Sequence, residues 1–444
     1  MDSDERRARE IAQHIFSCST AEQTEAVIEH RRCSLTRFSA SAIYQNTADS
    51  AWEVRVRCVV GRRVGCAQTN DISPEGLARA TAAAESIARH QAERPRPVLL
   101  PQPASYPDIR PYSHAAAEFG AKQRAAAVRD IVAVCRGAGL GCFGSFAHTA
   151  LALTVANTHG LFAHCPATEV VVNVLAVGED STGWAQFWSY DVAGLNAERL
   201  ARRAADKALR SARPKTVHPG RYTVILEPEA VSDMLHMLAM MGLGARAFLE
   251  GRSFMCGKVG QRVCGENITL LDDAFVPENP GLPFDFEGVP RQRVELIRNG
   301  VARGVVWDTE TAQEAGGGQR STGHALAPPN TFGPFPLNLV LEPGADAVEQ
   351  MVGSTERGLL VTRFHYTNIS HPLRTVITGM TRDGTFLIER GEVVGGVRNL
   401  RFTQSVLEAL SNVEMISAAR EVRNGYLAPY IKVREFQFTG ITEH

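Results

Sequence analysis

Between positions 52 and 60 apolar Trp52, Val54, Val56, Cys58 and Val60 alternate with Glu53, Arg55 and Arg57, a period of two that predicts a half-buried strand. Gly61-Arg62-Arg63 then turns the chain into a second strand over 64–69. Upstream, Ile11, Ala12, Ile15 and Phe16 form one stripe at helical spacing, so 6–16 reads as an amphipathic helix. Ser73-Pro74 supplies an N-cap and a first-turn proline for an Ala-rich helix over 77–90. Val128, Ile131, Val132 and Cys135 mark another helix, and Leu151, Leu153 and Val155 one face of a strand. A turn at 157–160, a returning strand over 170–177 and a helix through Leu200, Ala204 and Ala208 follow, which predicts a second βα layer added to the first.

Six prolines between 94 and 111, without Gly/Ser enrichment, predict a surface strap rather than a flexible linker. The segment 213–220, with two prolines and a glycine, is the expected boundary between an N-terminal domain, 1–212, and a C-terminal domain, 213–444. Beyond it the pattern turns to strands over 294–297, 301–307, 337–341, 358–366, 374–378 and 385–388, with Asn299-Gly300 as a hairpin signal and 316–336 as a long loop. The fold class expected is α+β, an N-terminal antiparallel sheet with packed helices followed by a β-rich C-terminal domain.

The stretch 222–255 interrupts that β pattern. Val224, Ile225 and Leu226 read as a buried strand, Glu227-Pro228 as a helix start, and from Met234 to Met241 every side chain but His236 is apolar. A helix apolar all round belongs in a core or against a partner.

Composition narrows the function classes. A chain of 444 residues with 44% hydrophobic and 21% charged residues is that of an ordinary globular protein with room for two cores. Lys plus Arg number 47 against 48 Asp plus Glu, a balance that offers no bulk attraction to nucleic acid or anionic lipid. No apolar run is long enough to span a bilayer and the first residues are charged, so the expectation is a cytoplasmic protein. Nine cysteines, odd in number and without a CxxC, suit reduced thiols.

Several motifs suggest chemistry and are outweighed. Gly139-Leu140-Gly141-Cys142-Phe143-Gly144 matches GxGxxG, yet a helix precedes it and a strand follows, the reverse of a dinucleotide fingerprint. His148, His159, His164 and Cys165 lack an established ligand spacing. Arg382-Asp383-Gly384 and Asp285-Phe286-Glu287-Gly288 read as polar turns beside apolar strands. His365 and His371 are candidates only for a metal-free hydrolase. No Ser/His/Asp constellation is readable from spacing, since such partners lie far apart in sequence.

The 222–255 stretch, Glu250-Gly251-Arg252-Ser253-Phe254, the segment 283–290 and the segments 59–74, 157–160 and 378–389 together resemble the TldD/PmbA family. Its peptidase branch carries an HExxxH helix between an apolar strand and a Gly/Ser loop, and takes a further metal-binding Cys from a loop near the C-terminus. In that register the helix, about 228–250 here, has His236 followed by Met237 where the Glu would stand and Met241 where the second His would stand; the region 424–429 has no Cys. The resemblance therefore implies the PmbA-like branch, also called TldE: no metal and no catalytic residue in this chain, zinc in a TldD-like metallopeptidase partner, and a peptide or small amide as substrate. A dimer is expected, hetero in preference to homo, without nucleic acid or membrane. Candidates for the substrate cleft or the interface are His236, Met237, Met241, Arg252, Ser253, Asp285, Glu287, His365, Arg382 and Asp383. Two alternatives are a metal-free homodimeric amidase or deacylase of specialised, antibiotic-like metabolism and, more weakly, a regulatory binding protein.

Overall fold

The computed structural model describes residues 3–442. Its first half is built on a six-stranded antiparallel sheet of β1 (Gln23–Ser39), β2 (Ala42–Val60), β3 (Arg63–Thr69), β4 (Gly141–Asn157), β5 (Phe162–Val177) and β6 (Thr182–Ser189), in the order β3-β2-β1-β4-β5-β6. The alternation at 52–60 is the end of β2, whose Val54, Val56 and Cys58 are fully buried. Helices α1 (Ser3–Cys18), α2 (Pro74–His90), the short α3 (His114–Ala117), α4 (Ala121–Gly137) and α5 (Ala197–Arg210) accompany it.

Alternation assigns the two faces. Ala26 and Ile28 of β1 pack with Ile11 and Ile15 of α1 and Leu77 of α2, while Phe146 of β4 and Val172 of β5 pack with Ile131 of α4 and Ala204 of α5. Burial of each large side chain contributes roughly 1.5–3 kcal/mol. Gly65 of β3 and Gly183 of β6 let α2 and α5 approach; a Cβ at either would run into the helix backbone at Ala84 and Ala88, or at Ala204 and Ala208. The opposite face, with Val27, Leu153 and Val155, packs on Phe284 of the second half.

The expected second βα layer is instead the continuation of the first sheet. The reason is β1, which pairs with β2 on one side and β4 on the other and so fuses the two groups of strands. The proline-rich strap over 94–111 runs without regular structure across this half. Asn157 Nδ2 donates to the Pro101 carbonyl at 2.8 Å, and Tyr106 Oη donates to the Gly288 carbonyl at 2.9 Å.

The second half contains β7 (Gly220–Leu226), α6 (Pro228–Gly242), β8 (Leu270–Asp272), β9 (Val294–Arg298), β10 (Val301–Ala302), β11 (Leu339–Leu341), β12 (Arg357–His371), β13 (Val376–Glu389), β14 (Glu392–Gly396), β15 (Leu400–Ser405), β16 (Val413–Arg423) and β17 (Tyr426–Ile441). The order β17-β15-β13-β12-β7 closes on itself because β7 pairs with both β12 and β17, and β11-β8-β9-β10 extends outward from β17. Phe364, Phe402, Phe436 and Phe438 stack in the interior of this closed sheet, and α6 joins the same core through Val231, Met234 and Leu238. The architecture is thus α+β, a helix-covered antiparallel sheet followed by a β-rich half. No helix among the described residues is long and apolar enough to cross a membrane.

Two expected strands, 374–378 and 385–388, are one strand, β13. Arg382-Asp383-Gly384 lies within it as a bulge rather than a turn between strands. Asp383 at φ 54° and Gly384 at φ 123° carry the extra residue, and the register with β12 shifts between Val361 and Arg363.

Candidate functional site

Strand β7 delivers the chain into α6 at Glu227-Pro228, with proline in the first turn where no amide hydrogen is needed. The Glu227 carboxylate accepts from Lys207 Nζ of α5 at 2.6 Å and from Thr362 Oγ1 of β12 at 3.3 Å, fixing the helix start against both halves. Along α6, Glu229, Asp233 and His236 recur at helical spacing on the one polar face. Burial raises the carboxyl pKa of Glu229 and of Asp233. Glu229 faces Arg423 at 3.6 Å, and Asp233 accepts from Thr367.

His236 is half-buried, its Nδ1 3.0 Å from the Tyr426 hydroxyl and its ring edge-on to Phe335 at 5.9 Å. Burial lowers its pKa against a smaller opposing pull from Asp233, so the ring stays neutral near pH 7. Tyr426 begins β17 just after the tight turn at Asn424 and Gly425, both at positive φ. The segment in which the resemblance places a metal-binding Cys therefore presents a phenol, and that phenol holds His236. Burial, and secondarily Asp272, raises the phenol pKa.

These residues do not fit a zinc ion. Met241 is 2% exposed and packs in the barrel core, and Met237 is half-buried against it. Thioethers are also weak ligands for an ion that prefers imidazole, thiolate and carboxylate. Among the described residues no group of three or more His, Cys, Asp or Glu is placed to hold a metal.

The remaining candidates fall into separate places. Arg252 is exposed and pairs with Glu250. Ser253 is buried, its hydroxyl donating to the Gly242 carbonyl at 2.6 Å and accepting from Met255 N at 3.0 Å, so it ties the loop to the end of α6. Asp285 is buried in its turn; Oδ1 accepts from the amides of Glu287 and Val289 and Oδ2 from Ala325 N, all at 2.9 Å. Glu287 accepts from Arg57 of β2 at 3.3 Å and from Thr309 N at 3.0 Å, joining the two halves. Burial and the Glu287 charge raise the pKa of Asp285, and push Asp308 up to about 6. His365, Arg382 and Asp383 gather around Arg363. Asp383 accepts from Arg363 Nε at 2.7 Å and, across the halves, from Thr182 Oγ1 at 2.7 Å. Burial, then Arg382 and Arg363, lower the His365 pKa. The structure brings together Asp285 with Glu287, and His365 with Arg382 and Asp383, but neither group with His236.

The N-terminal histidines do not converge. His148 meets Arg124 at 2.9 Å, His159 meets Gln102 at 2.8 Å and His164 meets Thr154 at 2.7 Å, while Cys165 donates to the Pro166 carbonyl.

One constellation escaped the sequence. Asp272 of β8 accepts from His324 Nε2 at 2.8 Å, and His324 Nδ1 lies 2.9 Å from Thr322 Oγ1, the connectivity of a hydroxyl–imidazole–carboxylate relay. The Thr322 hydroxyl, however, donates to the Trp307 carbonyl at 3.1 Å and accepts from Trp307 N at 2.8 Å, and His324 and Asp272 are both fully buried. The relay pins the 316–336 loop to the β8–β11 sheet. Only proximity reveals it, since 52 residues separate the Asp from the His.

Comparison with known proteins agrees with this architecture. Residues 219–440 match the PmbA/TldA metallopeptidase C-terminal domain and residues 117–212 the central domain. A metalloprotease of Methanothermobacter thermautotrophicus is 24% identical over 275 residues, 59% of this chain and 59% of that protein, so the chain spans about three fifths of that relative's length. Metalloprotease PmbA of Escherichia coli O157:H7 is 21% identical over 85% of this chain and 83% of its own. The crystal structure of TldE from Thermococcus kodakarensis superposes with a TM-score of 0.87 at 22% identity, covering 98% of this chain and 100% of that one, a likeness of fold. With half of its length matched by one domain of the family and the segment before it by another, the chain belongs to the TldD/PmbA family of metallopeptidase homologues.

Proposed function

We propose that this chain is the TldE/PmbA-like, non-catalytic subunit of a two-subunit peptidase or amide hydrolase. Its partner is a TldD-like chain that carries the zinc, and the two enclose a cleft for an unfolded peptide or small amide. The observation that carries the reading is the state of α6. His236 is taken up by Tyr426, and the positions that the family resemblance gives to a base and a second ligand are thioethers, Met237 half-buried against the core and Met241 within it. Pairing would serve to close the cavity wall, exclude water and offer backbone hydrogen bonds to an extended substrate. Exposed Tyr366, Ile369 and Leu373, beside His365 at the far end of β12, supply an apolar face for that partner. The test is metal analysis and peptide hydrolysis with the chain alone and after addition of a TldD-like subunit. The expected result is no stoichiometric zinc and no turnover alone, with turnover on mixing.

A second reading, a metal-free amide hydrolase, draws on the Thr322–His324–Asp272 relay. Its burial and the engagement of Thr322 by Trp307 count against it. Chelator-resistant hydrolysis by the single chain, abolished in Thr322→Ala, would establish it instead.

A further inference from the structure

Between the open face of the N-terminal sheet and the second half lies a cavity of about 490 Å³, whose wall includes Arg31, Glu169, Trp188, Tyr190, Arg291 and Asn338. Arg291 is 4% exposed, its backbone N–H donates to the Pro283 carbonyl at 3.0 Å, and its Nε and Nη1 have no hydrogen-bond partner. A buried guanidinium with open N–H groups is an expensive arrangement for a fold to keep.

The acids near it do not relieve it. Asp272 and Asp285 are close enough for Arg291 to add to the lowering of the one pKa and to offset part of the rise of the other, but their oxygens already have donors. Asp272 accepts from His324 and, at 2.8 Å, from Asn338 N; Asp285 accepts from three backbone amides. Arg291 balances buried negative charge while its hydrogen-bonding capacity stays unfilled.

We propose that this cavity is a binding site for an organic carboxylate, such as the C-terminal carboxylate of a short peptide, received by the Arg291 guanidinium. Nε and Nη1 are buried without an acceptor, so the guanidinium has N–H groups to give an entering carboxylate. Arg31 and Glu169 cancel as charges, and Asp272 and Asp285 stand behind Arg291, a balance that suits a monoanion over a phosphate dianion. Trp188 and Tyr190 offer apolar surface to the body of such a ligand, and the volume falls in the range of small-ligand pockets, roughly 300–1,000 Å³. The site lies in this chain alone and does not depend on the subunit pairing proposed above.

The experiment is titration of the full chain with acetyl-Ala-Phe bearing a free carboxylate, the same peptide amidated, sodium acetate and inorganic phosphate, read by calorimetry and tryptophan fluorescence. The free acid is expected to bind and to change a fluorescence signal that disappears in Trp188→Phe. Amidation and Arg291→Leu are each expected to weaken binding about tenfold or more. Acetate binding as tightly as the peptide acid would confirm the carboxylate site and locate its selectivity in that group alone. Equal binding of acid and amide, phosphate binding tighter than either carboxylate, unchanged affinity in Arg291→Leu, or no binding of the acid at millimolar concentration would each overturn the proposal. Should Arg291→Leu fail to fold, Ala167→Phe, which fills the cavity from β5 without touching the guanidinium, must abolish binding; retained affinity there refutes the site.

Discussion

Two polar positions in the second half, half-buried His236 on α6 and buried Arg291 beside β9, are at opposite ends of a scale. Around His236 the chain spends its polar groups on itself, with the imidazole against Tyr426, Asp233 against Thr367, and thioethers in the flanking positions. Around Arg291, a residue of a cavity wall, it leaves buried N–H groups without a partner. The difference between the two places lies in hydrogen-bond satisfaction rather than in residue type.

The sharpest way to break that comparison is at Asp272, which belongs to the satisfied class. Asp272→Ala removes the acceptor for His324 and Asn338 N and one of the buried counter-charges of Arg291; the expected loss is about 3–5 kcal/mol in urea unfolding. A loss under about 1 kcal/mol would mean that the relay does not hold the 316–336 loop. Next in size, Met241→Ala is expected to lose about 2–5 kcal/mol as a core truncation, with half-buried Met237→Ala losing less. If the two are equal, Met241 is not the core residue described above. The double change Met237→Glu with Met241→His is expected to destabilise the chain and still bind no zinc, because the segment 424–429 offers no Cys and its Tyr426 holds the His236 imidazole; calorimetric zinc titration checks it.

The acid limb of stability gives a third handle. His324 and Asp272 both have folded pKa values below their ordinary ones, His324 chiefly through burial and Asp272 through His324 and its other donors, which outweigh burial. A depressed histidine is stabilising above its unfolded pKa of about 6.5 and loses that contribution as pH falls below it. A depressed aspartate keeps its contribution down to about 3.9 and loses it below. Both signs agree, so Tm is expected to fall from pH 7.5 towards pH 5 and again below pH 4, and calorimetry across that range in wild type and Asp272→Asn separates the two steps. Smallest of all, Tyr426→Phe is expected to lose about 1 kcal/mol and to leave the His236 ring titrating below 6.5, which NMR resolves.

Much of the frame was legible because local signals and burial agree. The alternation at 52–60, the Ser73-Pro74 cap and the strand-to-helix passage at Glu227-Pro228 each map directly onto β2, α2 and α6. Strand β1 carries no readable period, since its inner half is buried on both faces and its outer half is polar, with His30, Arg31 and Arg32 interrupting the period of two. Without it one sheet looks like two layers. The Arg382-Asp383-Gly384 bulge imitates a turn because both require positive φ. As for the site, the sequence identified the helix and its unusual residues. What each is bonded to lay beyond it, because Tyr426 is 190 residues from His236, and Arg291 is marked only by the partners it lacks.

The measurement that bears most directly on the account is the metal content of the purified chain by native mass spectrometry, after exposure to zinc and removal of excess. The account predicts the mass of the apoprotein. One zinc retained per chain, lost together with its binding in His236→Ala, would contradict it.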